Sequence, residues 1–405
     1  MGRAKAMWQE EQDRGFTSNV GKFVCTNCFD EYALKQFIKE HSSYNYCSYC
    51  EETDEEIIAC ELDSLIEHIL ESIQYEWGHP ANEGLPYETR EGGWQVASVY
   101  DTWEIIDEVG LGNYHGEIYD DICKSIHNQE WCERDPFSLK GNQILMFGWQ
   151  KFSEFVCNTA RYVFFKANNT NYDRDQHDEM NPVDILDTLA TIIKKLDLFE
   201  IISDSTIITR TRIVNPEVEL ISAKQLGSPP NQFANMANRM SPAGIPMFYG
   251  AFDVETAIKE TYELTHENKK AICGMFKPTR PLIVIDLSKK SYVPSLFDEH
   301  ERSLRNDIKF LIDFITDFTK PIERSDRAHI DYVPTQIVTE YIRHVFRTEG
   351  GGQIDGVVYP SSKNEGKNAI VIFANSEQCI EQTDVIDSGS LLTLIEIKSQ
   401  ELKGG

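Results

Sequence analysis

The chain has 405 residues, of which 41% are hydrophobic and 26% charged, so it is long enough for two or three domains and is unlike a disordered chain. Asp and Glu outnumber Lys and Arg by 66 to 39, and residues 1–170 alone hold 30 acidic against 13 basic side chains. The net charge of −27 argues against broad binding to nucleic acid or to an anionic membrane, because both need a basic surface. We therefore expect an anionic ligand to be held by a few placed arginines.

The beginning of the sequence shows no targeting pattern. The residues MGRAKAMWQEEQDRG lack the apolar run of a secretory signal, and Ala6 stands where a myristoylation signal needs Ser or Thr. No stretch of 18 consecutive apolar residues occurs, so no transmembrane helix is predicted. Ten cysteines are too few for a disulfide scaffold in a chain of this length. We expect a soluble protein of the cytoplasm.

Polar residues fill 1–20, which predicts a flexible N-terminus, and two cysteine pairs follow within 21–55, with a helical pattern over 31–41 between them. Two residues separate the thiols of each pair, and about 18 residues separate the pairs, which is typical of a structural zinc site. Four thiolates would leave no open position for a catalytic water. We predict a zinc knuckle that binds Zn²⁺ through four ligands: Cys25, Cys28, Cys47 and Cys50. The alternative is a group of buried thiols without a metal.

A helical domain is predicted over 56–200. Apolar residues recur at helical spacing from Ile57 to Ile73, after which a Pro- and Gly-rich stretch breaks the pattern. An Asn-rich loop is predicted over 168–180. The further helical patterns lie at 100–109, 115–129, 142–166 and 181–199.

A helical region of this kind raises the question of a HEPN-type ribonuclease, whose chemistry needs an Arg and a His four to six residues apart. Arg161 has no such His, and Arg174 lies too close to His177. We therefore expect no ribonuclease activity and an interaction or regulatory role instead. Contact of the zinc knuckle with nucleic acid is disfavoured by the acidic charge around it.

After residue 200 the pattern changes to mixed α/β. Alternation and apolar runs predict strands at 206–214, 281–287 and 356–360. Helical patterns lie between them at 253–266, 300–319 and 334–347. We predict one domain over 201–385 and a C-terminal tail over 386–405, with a boundary to the helical half near residue 200.

Four segments of this domain are candidates for a ligand site: TRTR (209–212), ANRMSPAGIPMFYGAFDVETAIKE (237–260), DYVPTQIVTEYIRHVF (331–346) and DGVVYPSSKNEGKNAIVIF (355–373). Taken singly, Arg239 suits a phosphate, Tyr249 suits a flat heterocycle, and Glu260 is an ordinary carboxylate of a helix surface. These residues alone indicate no more than a ligand cleft. The chain has neither a Gly-rich dinucleotide motif after a strand nor a P-loop, so side chains must hold any phosphate.

In their order along the chain, these segments resemble the RES domain family, which is named for an Arg, a Glu and a Ser. The resemblance covers about 205–375, and the first half is similar to the zinc-knuckle and HEPN-like region that accompanies some RES domains. It implies a mixed α/β fold similar to ADP-ribosyltransferases. It also implies an enzyme that cleaves the nicotinamide–ribose bond of NAD⁺, as a glycohydrolase or a phosphorylase, and that acts as a toxin or an antiphage defence effector.

The resemblance further implies residues that hold the dinucleotide. Arg239 would grip the pyrophosphate together with Arg210 or Arg212. Tyr249 would pack against the nicotinamide or its ribose. An insertion between Asp286 and Tyr332, with a helical pattern near 300–319, departs from the shortest family members and would reshape the rim of the cleft.

The resemblance implies four catalytic residues, Arg239, Tyr249, Glu260 and Ser361, of which the last two are a carboxylate and a serine. Glu260 would bind ribose hydroxyls and stabilise the positive charge of an oxocarbenium-like transition state. The serine would be Ser361 or its neighbour Ser362, and it would position the ribose or the carboxamide. Nicotinamide leaves NAD⁺ as a neutral molecule, so no general acid has to protonate it.

Two alternatives stay open, a protein ADP-ribosyltransferase and a non-catalytic module that binds a nucleotide. The residues do not decide between water, phosphate and protein as the acceptor. Free depletion of NAD⁺ would kill the host, so we expect restraint by the N-terminal half or by a partner such as an antitoxin or a trigger protein. We also expect a homo-oligomer. Removal of residues 1–200 is expected to alter the control of the enzymatic activity more than the reaction itself.

Overall fold

A computed structural model of the chain describes residues 9, 11–112, 114, 116–166, 180–262, 268–320 and 327–402. Its contacts form two compact units, Met1–Lys140 with Val293–Asn306 and Gly141–Tyr292 with Asp307–Gly405. The boundary predicted near residue 200 therefore falls inside the second unit. The Asn-rich loop predicted over 168–180 lies outside the described residues except for Met180, and so do Arg174 and His177.

The first unit is built from short strands and helices. Its strands are β1 (Phe23–Cys25), β2 (Ala59–Glu61), β3 (Trp77–Gly78), β4 (Tyr87–Glu88), β5 (Gly93–Trp94) and β6 (Cys132–Glu133). Its helices are α1 (Tyr32–His41), α2 (Leu62–Glu76), α3 (Thr102–Val109) and α4 (Ile118–Ser125). Helices predicted from apolar spacing are thus present, but they are shorter than the patterns that indicated them.

Strands β1 and β2 pair antiparallel, with Val24 opposite Cys60, and both α1 and α2 contact β2. The apolar stripe of α2 is buried, as its helical spacing requires. The helix predicted from Ile57 begins only at Leu62, because residues 59–61 pair with β1 instead of forming a helical turn.

The predicted flexible N-terminus over 1–20 is wrong for Phe16, whose side chain is buried in the core of the first unit. The guanidinium of Arg14 lies 4.2 Å from the centre of its ring, and the Thr17 N–H donates to the Ser125 carbonyl over 2.8 Å. Burial of a whole aromatic side chain offsets the entropy lost when this polar segment is ordered.

The segment 293–306 comes from far along the sequence and completes the first unit. Its Phe297 is 2% exposed and belongs to the same core as Phe16 and the apolar face of α2. The α-helix predicted over 300–319 starts only at Arg305, because the residues directly before it, Arg302–Leu304, form a 3-10 helix.

Polar contacts fix the segment beside Phe297. His68 of α2 is 3% exposed, and its two ring nitrogens lie 3.0 Å from the Phe297 carbonyl oxygen and 3.1 Å from a carboxylate oxygen of Glu299. At the end of the segment, Arg305 Nε donates to Glu76 over 2.6 Å. These contacts attach the segment to the middle and to the C-terminal end of α2.

We expect replacement of Phe297 by Ala to destabilise the first unit by about 3–5 kcal/mol, since it removes a fully buried aromatic ring and leaves a cavity. Hydrogen exchange of the α2 backbone amides would measure the loss as a lower free energy of opening. Phe147→Ala is the matched control, because Phe147 lies in the second unit and is 47% exposed. Unchanged protection of α2 in the Phe297→Ala protein would contradict the assigned role.

The second unit combines helices with one large sheet. Its helices are α5 (Gly141–Asn158), α6 (Ile185–Lys195), α7 (Ala223–Leu226), α8 (Val254–Thr261), α9 (Arg305–Thr319), α10 (Ala328–Asp331) and α11 (Val333–His344). Its strands are β7 (Phe199–Ile202), β8 (Ile208–Val214), β9 (Phe248–Ala251), β10 (Lys270–Pro278), β11 (Leu282–Asp286), β12 (Gly356–Pro360), β13 (Asn368–Ile372), β14 (Cys379–Glu381) and β15 (Leu392–Glu401). The mixed α/β character predicted for this part of the chain is confirmed.

Within the described residues the strands form one nine-stranded sheet in the order β14-β15-β10-β8-β9-β13-β12-β11-β7. Neighbours pair antiparallel except β11 with β12 and β14 with β15, which pair parallel. Strands β8 and β9 therefore lie near the centre of the sheet, where neighbours on both sides fix the positions of their side chains.

Two segments differ from the predicted domain plan. The C-terminal tail predicted over 386–405 contains β15, which pairs along the whole of β10. Helices α5 and α6 lie within the range predicted for the helical domain, but both belong to the second unit, where α5 contacts α6 and α11. In the part of the chain that the structure describes, no helix is long and apolar enough to cross a membrane.

Candidate functional site

A cavity of about 590 Å³ in the second unit brings together most of the residues that the sequence indicated. Strand β8 contributes Arg210 and Arg212, and β9 contributes Tyr249. Helix α8 contributes Glu260, and β12 contributes Tyr359. The two arginines share one face of the sheet because residues two apart on a strand point the same way.

The carboxylate of Glu260 is hydrogen-bonded to a serine. Ser361 Oγ donates to Glu260 Oε1 over 2.5 Å. Ser361 Oγ also accepts hydrogen bonds from the backbone N–H groups of Lys363 (3.2 Å) and Asn364 (3.0 Å). These two donors direct the hydroxyl proton toward the carboxylate. Ser361 is buried and in contact with Glu260, whereas Ser362 is exposed.

A second set of contacts fastens the Ser361 loop to α8. Asp253 caps this helix by accepting from the Thr256 N–H over 2.8 Å, which satisfies a free donor of the first turn. Thr256 Oγ1 in turn accepts from the Asn364 side-chain amide over 2.7 Å, and Lys259 donates to the same amide group over 3.0 Å. The alignment of Glu260 with Ser361 is therefore set by the helix and by the loop together.

The arginine pair has unused hydrogen-bonding capacity. Arg210 Nη1 donates to the Tyr249 carbonyl over 2.9 Å, and Arg212 Nη2 donates to the Gly227 carbonyl over 3.0 Å. The Nε atoms of both arginines are buried without a hydrogen-bond partner, and no carboxylate of the described residues forms an ion pair with either guanidinium. Two such cations side by side would be stabilised by an anion with several oxygen atoms.

The electrostatics of the pair agree with this geometry. Burial, with a smaller contribution from the charge of Arg212, lowers the pKa of Arg210 to about 9. Burial also lowers the pKa of Arg212 below its ordinary value. Both shifts have the sign of a cation that has lost water without gaining a counterion.

Tyr249 lines the cavity beside this pair. Its hydroxyl lies 2.9 Å from Ser241 Oγ, and burial raises the pKa of the phenol to about 12. The phenol is therefore neutral at physiological pH, and the hydrogen bond to Ser241 anchors its hydroxyl end.

Arg239 does not line this cavity. Its Nη2 atom donates to the Lys320 carbonyl over 3.0 Å, and its side chain lines a second cavity of about 430 Å³ with Asp317 and Tyr332. The structure thus places Arg239 beside the site, whereas the arginines of β8 line it. A role of Arg239 toward a ligand stays a prediction.

Sequence reasoning missed two residues of the site, Tyr359 and Ser241. Tyr359 is 5% exposed, lines the cavity, and has its pKa raised by burial and by the nearby Glu260. It precedes Ser361 by two residues on an extended segment, so strand alternation could have indicated it. Ser241 gave no signal, because its link to Tyr249 depends on how a loop folds back.

The four cysteines of the first unit form a separate cluster, with one ligand atom of each within 4.8 Å of all the others. The Sγ–Sγ distances are 3.8 Å from Cys25 to Cys28, 3.5 Å from Cys25 to Cys50 and 3.5 Å from Cys28 to Cys47. A tetrahedral zinc ion with Zn–S bonds of about 2.3 Å requires edges of about 3.8 Å. The predicted cysteine cluster is confirmed, and its geometry fits Zn²⁺.

Two protein-family models match the sequence. Residues 219–393 match the RES domain, and residues 40–170 match HEPN/RES N-terminal domain 1. No curated protein and no solved structure matches the chain. The family resemblance inferred from the sequence motifs is therefore confirmed, while the likeness to the ADP-ribosyltransferase fold stays a prediction.

Proposed function

Because the chain carries a RES domain behind a HEPN/RES N-terminal domain, we propose that it is an enzyme that cleaves the nicotinamide–ribose bond of NAD⁺. In this proposal the protein acts through this reaction as a toxin or as an antiphage defence effector. The observation that carries it is the meeting, in one cavity, of an arginine pair without counterions and a carboxylate bonded to a serine.

The arginine pair supports a pyrophosphate ligand. A pyrophosphate offers oxygens to both guanidinium groups at once, and it would serve as the counterion that Arg210 and Arg212 lack within the described residues. The cavity volume of about 590 Å³ lies in the range of about 300–1,000 Å³ that is usual for small-molecule sites.

The Glu260–Ser361 pair supports cleavage of a glycosidic bond. When the C–N bond breaks, its electron pair leaves with nicotinamide, which becomes neutral, and positive charge develops on the ribose. The Glu260 carboxylate would stabilise that charge, and the hydrogen bond from Ser361 would hold the carboxylate in place. An acceptor oxygen then bonds to the ribose, and its proton passes to Glu260.

Tyr249 and Tyr359 would form the walls around the nicotinamide end. Both phenols stay protonated, because burial raises the pKa of each. Their rings provide flat apolar surface beside the carboxylate and limit the access of water. The role of Tyr249 follows from the family resemblance together with its position in the cavity, and the role of Tyr359 follows from its position alone.

Incubation of the purified protein with NAD⁺, with and without phosphate, tests the proposal. Nicotinamide release with free ADP-ribose would identify a glycohydrolase, and a phosphorylated ribosyl product that appears only with phosphate would identify a phosphorylase. Label from adenine-labelled NAD⁺ that ends on protein would favour the ADP-ribosyltransferase. Binding of NAD⁺ without turnover, by protein that is shown to be free of any bound inhibitor, would favour a non-catalytic module.

We expect the Arg212→Met variant to raise KM for NAD⁺ about 10- to 100-fold, since it removes charge-assisted hydrogen bonds to the pyrophosphate. The control is Arg343→Met. Arg343 is also partly buried, and its burial also lowers its pKa, but it does not line the cavity. Initial-rate kinetics would measure the change. An unaltered KM in the Arg212→Met enzyme would remove Arg212 from the site.

The matches to these two families also support a toxin that is held in check. Restraint would come from the first unit, from an antitoxin or from a trigger protein, and a homo-oligomer is part of the same proposal. The structural Zn²⁺ would belong to the first unit and take no part in the chemistry, since four cysteine ligands leave no open coordination position.

A further inference from the structure

The cavity has an apolar rim that the reaction itself does not use. Phe233 and Met236 line the cavity, yet they are 67% and 63% exposed. They belong to residues 229–247, here called the rim loop. Large apolar side chains that remain exposed at the mouth of a charged cavity are typical of a surface that a ligand covers.

The rim loop is held in a defined conformation. The Gly244 N–H donates to the Ala234 carbonyl over 2.7 Å, and the Asn238 N–H donates to the Ser241 carbonyl over 2.8 Å. Gln336 of α11 donates to the Asn238 carbonyl over 2.8 Å. Gly244 has a φ of +89°, a value that glycine adopts without strain. A glycine at this position therefore allows the turn that closes the loop.

The start of the rim loop, which carries Phe233, and the Glu260–Ser361 pair lie at different ends of the arginine pair. Tyr359 is in the same row across the sheet as Thr209, because β12, β13, β9 and β8 align these residues in register. Arg212 lies three residues beyond Thr209 along β8, which is about 10 Å at the rise of a strand. Its hydrogen bond to Gly227 places it next to the start of the rim loop.

This order along the cavity matches the order of groups in a dinucleotide. If nicotinamide riboside occupies the Glu260–Ser361 end and pyrophosphate occupies the arginine pair, the second nucleoside extends toward the rim loop. We propose that Phe233, supported by Met236, is the stacking surface for the purine base of the substrate. This inference rests on the proposed function for the identity of the substrate.

Equilibrium binding measured by calorimetry tests the inference with two probes, ADP and inorganic pyrophosphate. The full-length parent protein should bind ADP at least about tenfold more tightly than pyrophosphate, since base stacking on an aromatic ring adds that much affinity. Phe233→Ala should remove most of this difference and leave pyrophosphate binding unchanged. Phe233→Trp should restore it, because the larger ring keeps the stacking surface.

The matched control is Phe147→Ala, which truncates another exposed phenylalanine of the second unit that does not line the cavity. It should bind both probes as the parent does. ADP affinity that is equal to the parent's in the Phe233→Ala protein would overturn the inference. A parent protein that binds ADP no more tightly than pyrophosphate would also overturn the inference. Such a result would leave the assignment of the arginine pair as an anion site intact. If the parent binds neither probe and does not bind NAD⁺, the proposed function fails together with the inference.

Discussion

We expect replacement of Glu260 by Gln to lower kcat/KM for NAD⁺ cleavage by about 100- to 1,000-fold. Among the described residues that line the cavity, Glu260 is the one carboxylate. Gln keeps the size of the side chain and a carbonyl oxygen that can accept the Ser361 hydrogen bond, but it removes the negative charge. The loss should therefore appear in kcat, because the charge acts on the cation that forms in the transition state.

The control for this experiment lies one and a half turns earlier on the same helix. Glu255 forms an ion pair with Lys259 at the surface and does not line the cavity, so Glu255→Gln should retain the parent rate. Initial rates of nicotinamide release would compare the two variants. A Glu260→Gln enzyme that is as active as Glu255→Gln would exclude Glu260 from the chemistry.

Loss of zinc is expected to have the largest effect on stability. Structural zinc contributes about 10–16 kcal/mol in small zinc domains, which is as much as the whole free energy of unfolding of a typical domain. Cys28→Ser, or a strong chelator, should therefore unfold much of the first unit. Loss of far-ultraviolet circular dichroism and earlier thermal unfolding would report this, and metal analysis of the parent should give about one zinc ion per chain.

Cys157→Ser is the matched control for the zinc experiment. Cys157 lies in the second unit, outside the cluster, and its thiol donates to the Ile330 carbonyl over 3.4 Å, a hydrogen bond that serine can also make. This variant should keep its zinc and its thermal stability. Parent protein without zinc, or a Cys28→Ser variant that is as stable as Cys157→Ser, would refute a structural metal.

Local patterns in the sequence predicted the features that depend on neighbours along the chain. The spacing of Cys25 and Cys28 indicated a metal site because a short turn brings both thiols together. Apolar periodicity indicated the helix that became α2, and alternation indicated β8 with its two arginines. Glu260 and Ser361 followed from linked motifs, and the structure places them in hydrogen-bond contact.

The features that were missed depend on contacts between distant residues. Strand β15 alternates as a strand does, but its position near the end of the sequence led to the prediction of a tail, and only its pairing with β10 shows otherwise. Arg239 looked like a cavity residue, whereas its guanidinium bonds to the carbonyl of Lys320, which no local pattern connects with it. Phe297 is likewise ordinary in sequence and is buried because it packs into the core of the first unit.

The position of Phe297 in the sequence has a consequence for the growing polypeptide. The core of the first unit cannot close when Lys140 leaves the ribosome, because Phe297 has not yet been made. At about 5–20 residues per second, the wait for the intervening residues is on the order of 10–30 s. During that time the part of the core that Phe297 fills is open to chaperones and proteases. A message that is cut before codon 297 would leave this part of the core open permanently, so a shortened N-terminal product would be cleared rather than accumulate.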